Sequence, residues 1–159
     1  MAKMLVAYYS RSGHTRGMAE AVAEGARTAG GVEVDCKDIT SLSAQELLGS
    51  DAIVLGSPTY YGSMAAEVKK LLDESVAFHG QLTGKVGGAF SSSANIGGGN
   101  ETTIMDILKA MLVHGMVIQG TASGDHYGPV AIGQADERAV EECRKLGRNV
   151  AALTSKLHP

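Results

Sequence analysis

Hydroxyl groups and glycine are concentrated near the start of this 159-residue chain, in the stretch Ser10-Arg11-Ser12-Gly13-His14-Thr15. The stretch separates an apolar run from apolar residues at helical spacing, so it lies at a helix start. A helix start offers unpaired backbone N–H groups and a positive dipole end, which together suit a phosphate. An ordinary helix cap would also account for serine and threonine here. Three hydroxyls and a glycine within six residues favour the phosphate, because glycine lets the backbone approach its oxygens closely.

Two further stretches could complete a site for a flat ligand. Gly56-Ser57-Pro58-Thr59-Tyr60-Tyr61-Gly62 follows a short apolar run, and its proline stiffens the backbone. The adjacent tyrosines either offer a ring face to a planar ligand or cover the edge of the core. Residues 91–100 are rich in serine and glycine. Their donors and exposed backbone could surround the polar edge of a ring.

Alternating strands and helices are predicted to bring these three stretches together. Short apolar runs predict buried strands at residues 4–9, 52–55, 85–90 and 116–118, and alternation predicts an edge strand at 32–36. Helical patterns intervene, including a capping-box signal in the sequence SAQE and a last helix capped by Asp136. The alternation predicts an α/β fold: a doubly wound five-stranded parallel sheet with helices on both faces. Ligands bind at the carboxyl ends of such strands, where the three stretches are expected to meet.

Composition and missing motifs argue against several other classes of protein. The net charge of −3 and the absence of a Lys/Arg cluster argue against nucleic-acid binding. Cys36 and Cys143 are isolated in the sequence, so neither a disulfide framework nor a metal site is expected. The dinucleotide fingerprint does not follow the first strand, and GQLTGKV is not a phosphate loop of the nucleoside-triphosphatase type. No apolar stretch approaches membrane-spanning length, so a cytoplasmic protein is expected.

At this point the sequence resembles a known family. The segments SRSGHT, SPTYYGSM and SSSANIGGGNETT, in this order, resemble the three flavin-mononucleotide (FMN) loops of the flavodoxin-like superfamily. The chain is most similar to the WrbA-type branch, the NAD(P)H:quinone oxidoreductases, over nearly its whole length. The resemblance implies a single flavodoxin-like FMN-binding domain spanning residues 1–159, in a homo-oligomer, dimer or tetramer. The longer members of that branch have an insertion between the second and third strands and a longer loop after the fifth, and this chain is short at both.

The resemblance also implies roles for individual residues. Residues 10–15 would bind the FMN phosphate, the tyrosine stretch would line the isoalloxazine, and residues 92–97 would close its pyrimidine side. His126 and Tyr127 follow the fifth strand and are predicted to shape the open face of the flavin as catalytic residues. The predicted cofactor-binding residues are Ser10, Arg11, Ser12, Gly13, His14, Thr15, Pro58, Thr59, Tyr60, Tyr61, Gly62, Ser92, Ser93, Ala94, Asn95, Ile96 and Gly97.

Three functions are compatible with an FMN site. The first is an enzyme in which NAD(P)H reduces the flavin and a quinone or similar acceptor removes the two electrons. The second is a flavodoxin-type carrier of single electrons between redox proteins, and the third is a flavin-binding stress or regulatory protein. A carrier is expected to surround its flavin with acidic residues that guide basic partners. The only acidic residues near the three stretches are Glu101 and Asp125, and the basic residue Arg11 lies there too. This small number of acidic residues favours the enzyme.

Overall fold

The computed structural model describes all 159 residues. Its strands are β1 (Ala2–Tyr8), β2 (Val32–Asp38), β3 (Ala52–Tyr60), β4 (Ser63–Met64), β5 (Val86–Ser93), β6 (Val117–Ile118) and β7 (Val130–Ile132). A parallel sheet with the strand order β2-β1-β3-β5-β6 forms the centre of the fold. Two short strands extend it: β4 pairs antiparallel to the end of β3, and β7 pairs parallel to the end of β5. The predicted doubly wound α/β sheet is confirmed, although β4 and β7 were not predicted.

Helices cover both faces of the sheet. Side chains along a strand alternate between its faces, and in β1 the residues Met4 and Val6 join one apolar cluster while Leu5 and Ala7 join the other. The first cluster is completed by α1 (His14–Ala29) and α4 (Glu137–Leu157), and the second by α2 (Ala66–Glu74) and α3 (Asn100–Val113). None of these helices is both long and apolar enough to cross a bilayer. Short 3₁₀ turns lie at Ile39–Ser41, Ala44–Gly49 and Ser75–Phe78.

Strands β3 and β5 continue further than the apolar pattern predicts. Their parallel pairing extends through Ser57 opposite Ser91 and Pro58 opposite Ser92. The sequence pattern ends these strands at residues 55 and 90 and places 56–62 and 91–100 in loops, which is wrong for 56–60 and 91–93 because these residues continue the strands. Polar residues are tolerated at these strand ends because their hydroxyl groups are hydrogen-bonded within the sheet edge. The predicted capping box is present, with Glu46 accepting from the Ser43 backbone N–H at 2.8 Å, but the turn it begins is 3₁₀.

Helices α1 and α4 cross on one face of the sheet with glycine at the contact. A methyl group on Gly25 would overlap the backbone carbonyl of Arg144, and one on Gly147 would overlap the carbonyl of Val22. Each helix thus presents a glycine to the main chain of the other. The two backbones lie closer together than any larger residue at these positions would permit.

A histidine is buried at the amino-terminal edge of the sheet, away from the predicted site. His114, only 7% exposed, follows α3. The Ser75 hydroxyl donates to the Leu72 carbonyl at 2.6 Å, so its oxygen accepts from His114 Nε2 at 2.7 Å. This leaves His114 Nδ1 unprotonated, buried and without a partner. Burial, with a smaller contribution from neighbouring His79, lowers the pKa of His114 below its usual value of 6.5.

We expect this histidine to make stability depend on pH. Because the folded-state pKa is depressed, the unfolded chain binds the extra proton more readily, and stability is lost as the pH falls through about 6.5. His114→Gln should therefore flatten the fall in unfolding free energy between about pH 7.5 and about pH 5.5. Urea unfolding at several pH values measures this, with His14→Gln at an exposed position as the control. An unchanged slope in His114→Gln would contradict the assignment.

Candidate cofactor site

A cavity of about 470 Å³ opens where β1, β3 and β5 end. Each of the three stretches singled out from the sequence contributes to its wall. The wall carries one side chain with a permanent charge, Arg11, and no carboxylate. The lining residues are Arg11, Ser12, His14, Thr15, Pro58, Thr59, Tyr60, Ser92, Ser93, Ala94 and Gly133.

The start of α1 lacks the groups that usually cap a helix. Gly13 precedes the helix with a φ of 96°, a left-handed conformation that favours glycine. No side chain caps the helix, and its first turn contains no acidic residue. Ser10 is already engaged, since its oxygen accepts from the Gly13 N–H at 3.0 Å. The helix start therefore needs an acceptor from outside the protein, and an anion suits both the N–H groups and the dipole.

Where β3 and β5 end, the hydroxyl hydrogens of Thr59, Ser91 and Ser93 are used within the protein. A hydroxyl has one hydrogen to donate. Ser91 donates its hydrogen to the Ser57 carbonyl at 2.7 Å, so Thr59 must donate to Ser91 at 3.0 Å. Ser93 donates to the Asn95 carbonyl at 2.9 Å. Thr59 and Ser93, which both line the cavity, therefore present oxygen lone pairs to a ligand.

On the side formed by α1, hydroxyl hydrogens remain available. Thr15 and Ser92 are both buried and lie 3.0 Å apart, so one donates to the other and the acceptor keeps its own hydrogen. Ser12 is exposed, and its oxygen has only a 3.5 Å contact with His14 Nδ1. Ser10 accepts a hydrogen bond and keeps its hydrogen. Available donors and an uncapped helix start therefore coincide, and these residues fit the phosphate of FMN.

Two tyrosines lie on a tight hairpin beside the cavity. Tyr61 and Gly62 join β3 to β4 with φ values of 49° and 78°, and a two-residue turn of type I′ requires positive φ at both positions. Thr102 donates to the Gly62 carbonyl at 2.6 Å, which ties the turn to α3. The Tyr60 ring is 38% exposed and the Tyr61 ring fully exposed. Both rings are thus accessible to a flat ligand, and Tyr60 lines the cavity itself.

A carboxylate of α3 holds the same hairpin. Ser63, in β4, donates to Asp106 Oδ2 at 2.7 Å. Hydrogen bonds from Lys109 and Ser63 hold the pKa of Asp106 below its usual range. Asp106 is therefore ionised at neutral pH and remains an acceptor for Ser63.

Comparison with known proteins agrees with this geometry. The sequence profile of a family described as NADPH-dependent FMN reductase matches residues 37–128. A flavodoxin of Aquifex aeolicus (strain VF5) is 39% identical over 159 residues, covering 95% of this chain and 86% of that protein. The chain belongs to the NADPH-dependent FMN reductase family. Another relative, named NAD(P)H dehydrogenase (quinone), from Rhodopseudomonas palustris (strain TIE-1), is 36% identical and covers 99% of this chain and 100% of that protein.

Solved structures place this member of the FMN reductase family among flavodoxin-like folds. The flavodoxin, WrbA-like protein from Agrobacterium tumefaciens superposes with a TM-score of 0.80 at 29% identity, over 98% of this chain and 99% of that chain. A flavodoxin from the domain Archaea gives a TM-score of 0.79 at 30% identity, over 96% and 98% of the two chains. The resemblance to the flavodoxin-like superfamily and its WrbA-type branch, stated from the motifs, is confirmed.

Not every residue predicted for the site lines the cavity of this family member. Ser10, Gly13 and Tyr61 are next to lining residues, Gly62 completes the hairpin turn with Tyr61, and residues 95–97 continue the third stretch. Gly133 lines the cavity but was not predicted. It directly follows β7, and the short apolar run PVAI before this glycine is the signal that could have revealed it.

The two predicted catalytic residues lie outside the cavity wall. His126 Nδ1 is 2.8 Å from the Thr121 carbonyl, and the Tyr127 ring meets the His126 ring edge-on at a centroid distance of 6.5 Å. Both side chains border a separate, very small space of about 10 Å³ between this loop and α4. Tyr127 is half-exposed. Their catalytic role stays a prediction.

Proposed function

We propose that this protein is an FMN-dependent oxidoreductase that takes two electrons from NAD(P)H and delivers them to a quinone or similar acceptor. The observation that carries the proposal is the cavity itself, with phosphate donors at α1, accessible tyrosines at the hairpin and no carboxylate in its wall. FMN supplies the redox chemistry when bound, while the protein supplies orientation and electrostatics. The family and the quinone dehydrogenase relative support the same assignment.

The charges near the cavity favour the enzyme over a carrier. Asp125 is ion-paired with Arg138 at 2.9 Å and does not line the cavity, and neither does Glu101. Arg11 has no ion-pair partner within the chain. A negatively charged reduced flavin would be less destabilised in this cavity, which has a guanidinium and no carboxylate, than in a cavity lined by acidic residues. It also lacks acidic groups that would attract a basic partner protein.

The open cavity provides the positioning that two-electron transfer requires. A nicotinamide and then a quinone need only lie flat against the flavin in turn, because holding reacting atoms in contact supplies much of the rate. No acid or base among the lining side chains is assigned to either step. Tyr60 and Tyr61 supply ring faces for the stack.

A one-electron carrier is the second candidate. It is favoured by the Aquifex flavodoxin, which shares 39% identity with this chain. The quinone dehydrogenase relative aligns over 199 positions, against the 159 residues of this chain, in line with the two segments at which the chain is short.

Anaerobic reduction separates the two candidates. With NADH or NADPH, we expect the bound flavin to lose its colour without a long-lived one-electron state, and benzoquinone to restore the colour with ping-pong kinetics. Free FMN at the same concentration is the control. If neither nicotinamide reduces the flavin within minutes, while dithionite produces a persistent blue radical, the protein is a carrier.

A homo-oligomer is also proposed, as a dimer or tetramer. Leu112 and Val113, at the end of α3, are 58% and 72% exposed. Large apolar side chains exposed next to one another are typical of interaction surfaces. Sedimentation of the FMN-loaded protein measures the assembly state.

A further inference from the structure

The connection between β6 and β7 is held by one polar face of α4. Arg138, Glu142 and Lys145 each contact this connection. Their spacing of four and three residues places them on the same side of the helix. The signs of their charges alternate, and each charge meets a complementary group of the loop. The segment 119–129 is therefore anchored by side chains of a rigid element.

Arg138 and Asp125 together complete the hydrogen bonds of the edge strand β7. Val130 donates its N–H to Asp125 Oδ2 at 2.9 Å, and its carbonyl accepts from Arg138 Nη2 at 2.8 Å. Arg138 Nη1 also donates to Asp125 Oδ1 at 2.9 Å. An edge strand leaves such backbone groups without a neighbouring strand. The two side chains thus take the place of a further strand at Val130.

The other two residues of this face hold the turn that presents Asp125. Glu142 Oε2 accepts from the Asp125 N–H at 3.2 Å. Lys145 Nζ donates to the Ser123 carbonyl at 2.7 Å. The Asp125 side chain is only 16% exposed. Removing its guanidinium partner would leave a mostly buried carboxylate poorly compensated.

Strand β7 forms part of the support of the cofactor cavity. Its residues pair with Ser91, Ser92 and Ser93 of β5. The Gly133 N–H, just after β7, donates to the Ser93 carbonyl at 2.8 Å. Ser92, Ser93 and Gly133 all line the cavity. Any displacement of β7 is therefore transmitted to one wall of the site.

We propose that Arg138 is a positioning residue for the cofactor cavity, which with Asp125 fixes β7 and through β7 sets the wall formed by Ser92, Ser93 and Gly133. The proposal rests on the proposed function only in that the cavity binds FMN. Arginine suits this position because its planar fork donates in two fixed directions at once, to the carboxylate and to the carbonyl. Lysine has the same charge but lacks the planar guanidinium group that donates in two fixed directions.

The test compares two arginines of the same helix. Arg148 pairs with Glu141 at 2.6 Å and does not contact the loop or β7, so Arg148→Gln matches Arg138→Gln in chemistry and charge. Hydrogen exchange at Val130 and at neighbouring amides reports the strand, and quenching of FMN fluorescence reports affinity. In Arg138→Gln we expect both exchange at Val130 and the Kd for FMN to rise about tenfold, as for one lost charge-assisted hydrogen bond. Arg148→Gln should change neither quantity.

Further measurements exclude a purely structural effect. Arg138→Lys should recover only part of the FMN affinity, because it restores the charge but not the fork. Exchange in β1 and β3 should match the wild-type protein in every variant. Unchanged exchange at Val130 in Arg138→Gln overturns the proposal. Faster exchange with wild-type FMN affinity also overturns it, since β7 would then not set the site. Wild-type protein that binds FMN but is not reduced by NAD(P)H contradicts the enzyme assignment and leaves this proposal standing.

Discussion

Replacing Ser12 with alanine and Thr15 with valine in one variant is expected to weaken FMN binding at least about a hundredfold while changing riboflavin binding little. The two ligands differ only in the phosphate. Thr15 is buried beside Ser92 at the start of α1, and Ser12 is exposed at the same turn. Each hydroxyl lost would remove a hydrogen bond to a charged oxygen, worth about 1.5 to 3 kcal/mol. Titration of the apoprotein with each flavin, followed by fluorescence, measures the difference.

A matched variant controls for loss of hydroxyl groups as such. Thr28 lies in the same helix and donates to the Glu24 carbonyl, and Ser41 donates to the Asp38 carbonyl. Thr28→Val with Ser41→Ala should leave both affinities unchanged. Equal losses of FMN and riboflavin affinity in the Ser12 and Thr15 variant would remove the phosphate from this turn.

Replacing Gly25 with alanine is expected to destabilise the fold by about 1 to 3 kcal/mol, the usual range for overpacking a tight contact. The added methyl group would overlap the Arg144 backbone carbonyl. Main-chain atoms of a packed helix cannot rotate aside as a side chain can, so α1 and α4 would have to separate. The unfolding free energy from urea denaturation of the apoprotein measures the loss.

Gly17 offers the control in the same helix. It is exposed, and a methyl group there would meet no atom within 4 Å. Gly17→Ala should therefore stabilise the protein by up to about 1 kcal/mol through helix propensity alone. Opposite signs for the two substitutions are expected. If Gly25→Ala also stabilises the protein, the close crossing of α1 and α4 is wrong.

Sequence patterns predicted the five strands of the central sheet, whereas the short strands β4 and β7 were missed. The runs in β1, β3 and β5 are buried on both faces, so their sequences are nearly continuous in apolar residues. β7 has three residues and β4 has two, and each is a strand only because a longer strand lies beside it. The apolar run PVAI marks a candidate strand at β7, but no local sequence pattern says that this segment pairs with β5. The same holds for Gly25 and Gly147, since a sequence does not say which helices cross.

The site was predictable where its chemistry is local. The turn at the start of α1 can be predicted from its own residues, because its hydroxyl side chains and Gly13 are adjacent in the sequence. Gly133 escaped detection because its place in the wall depends on the pairing of β7 with β5. His126 was harder still, because the direction of its side chain is set by a hydrogen bond within its own loop. Such contacts depend on the folded backbone and produce no periodic pattern in the sequence.

Tyr61 occupies a position whose turn favours a different residue. A type I′ turn is formed most readily by Asn-Gly, and a tyrosine at positive φ adopts a backbone conformation that costs roughly 1 to 2 kcal/mol. Its fully exposed ring regains none of this through packing in the unliganded protein. Selection for thermal stability alone would therefore replace Tyr61 with asparagine. The conformation of Tyr61 destabilises the protein without ligand, and contact between a ligand and the ring would offset this cost. Substitutions at Tyr61 should therefore change the melting temperature and the ligand affinity in opposite directions.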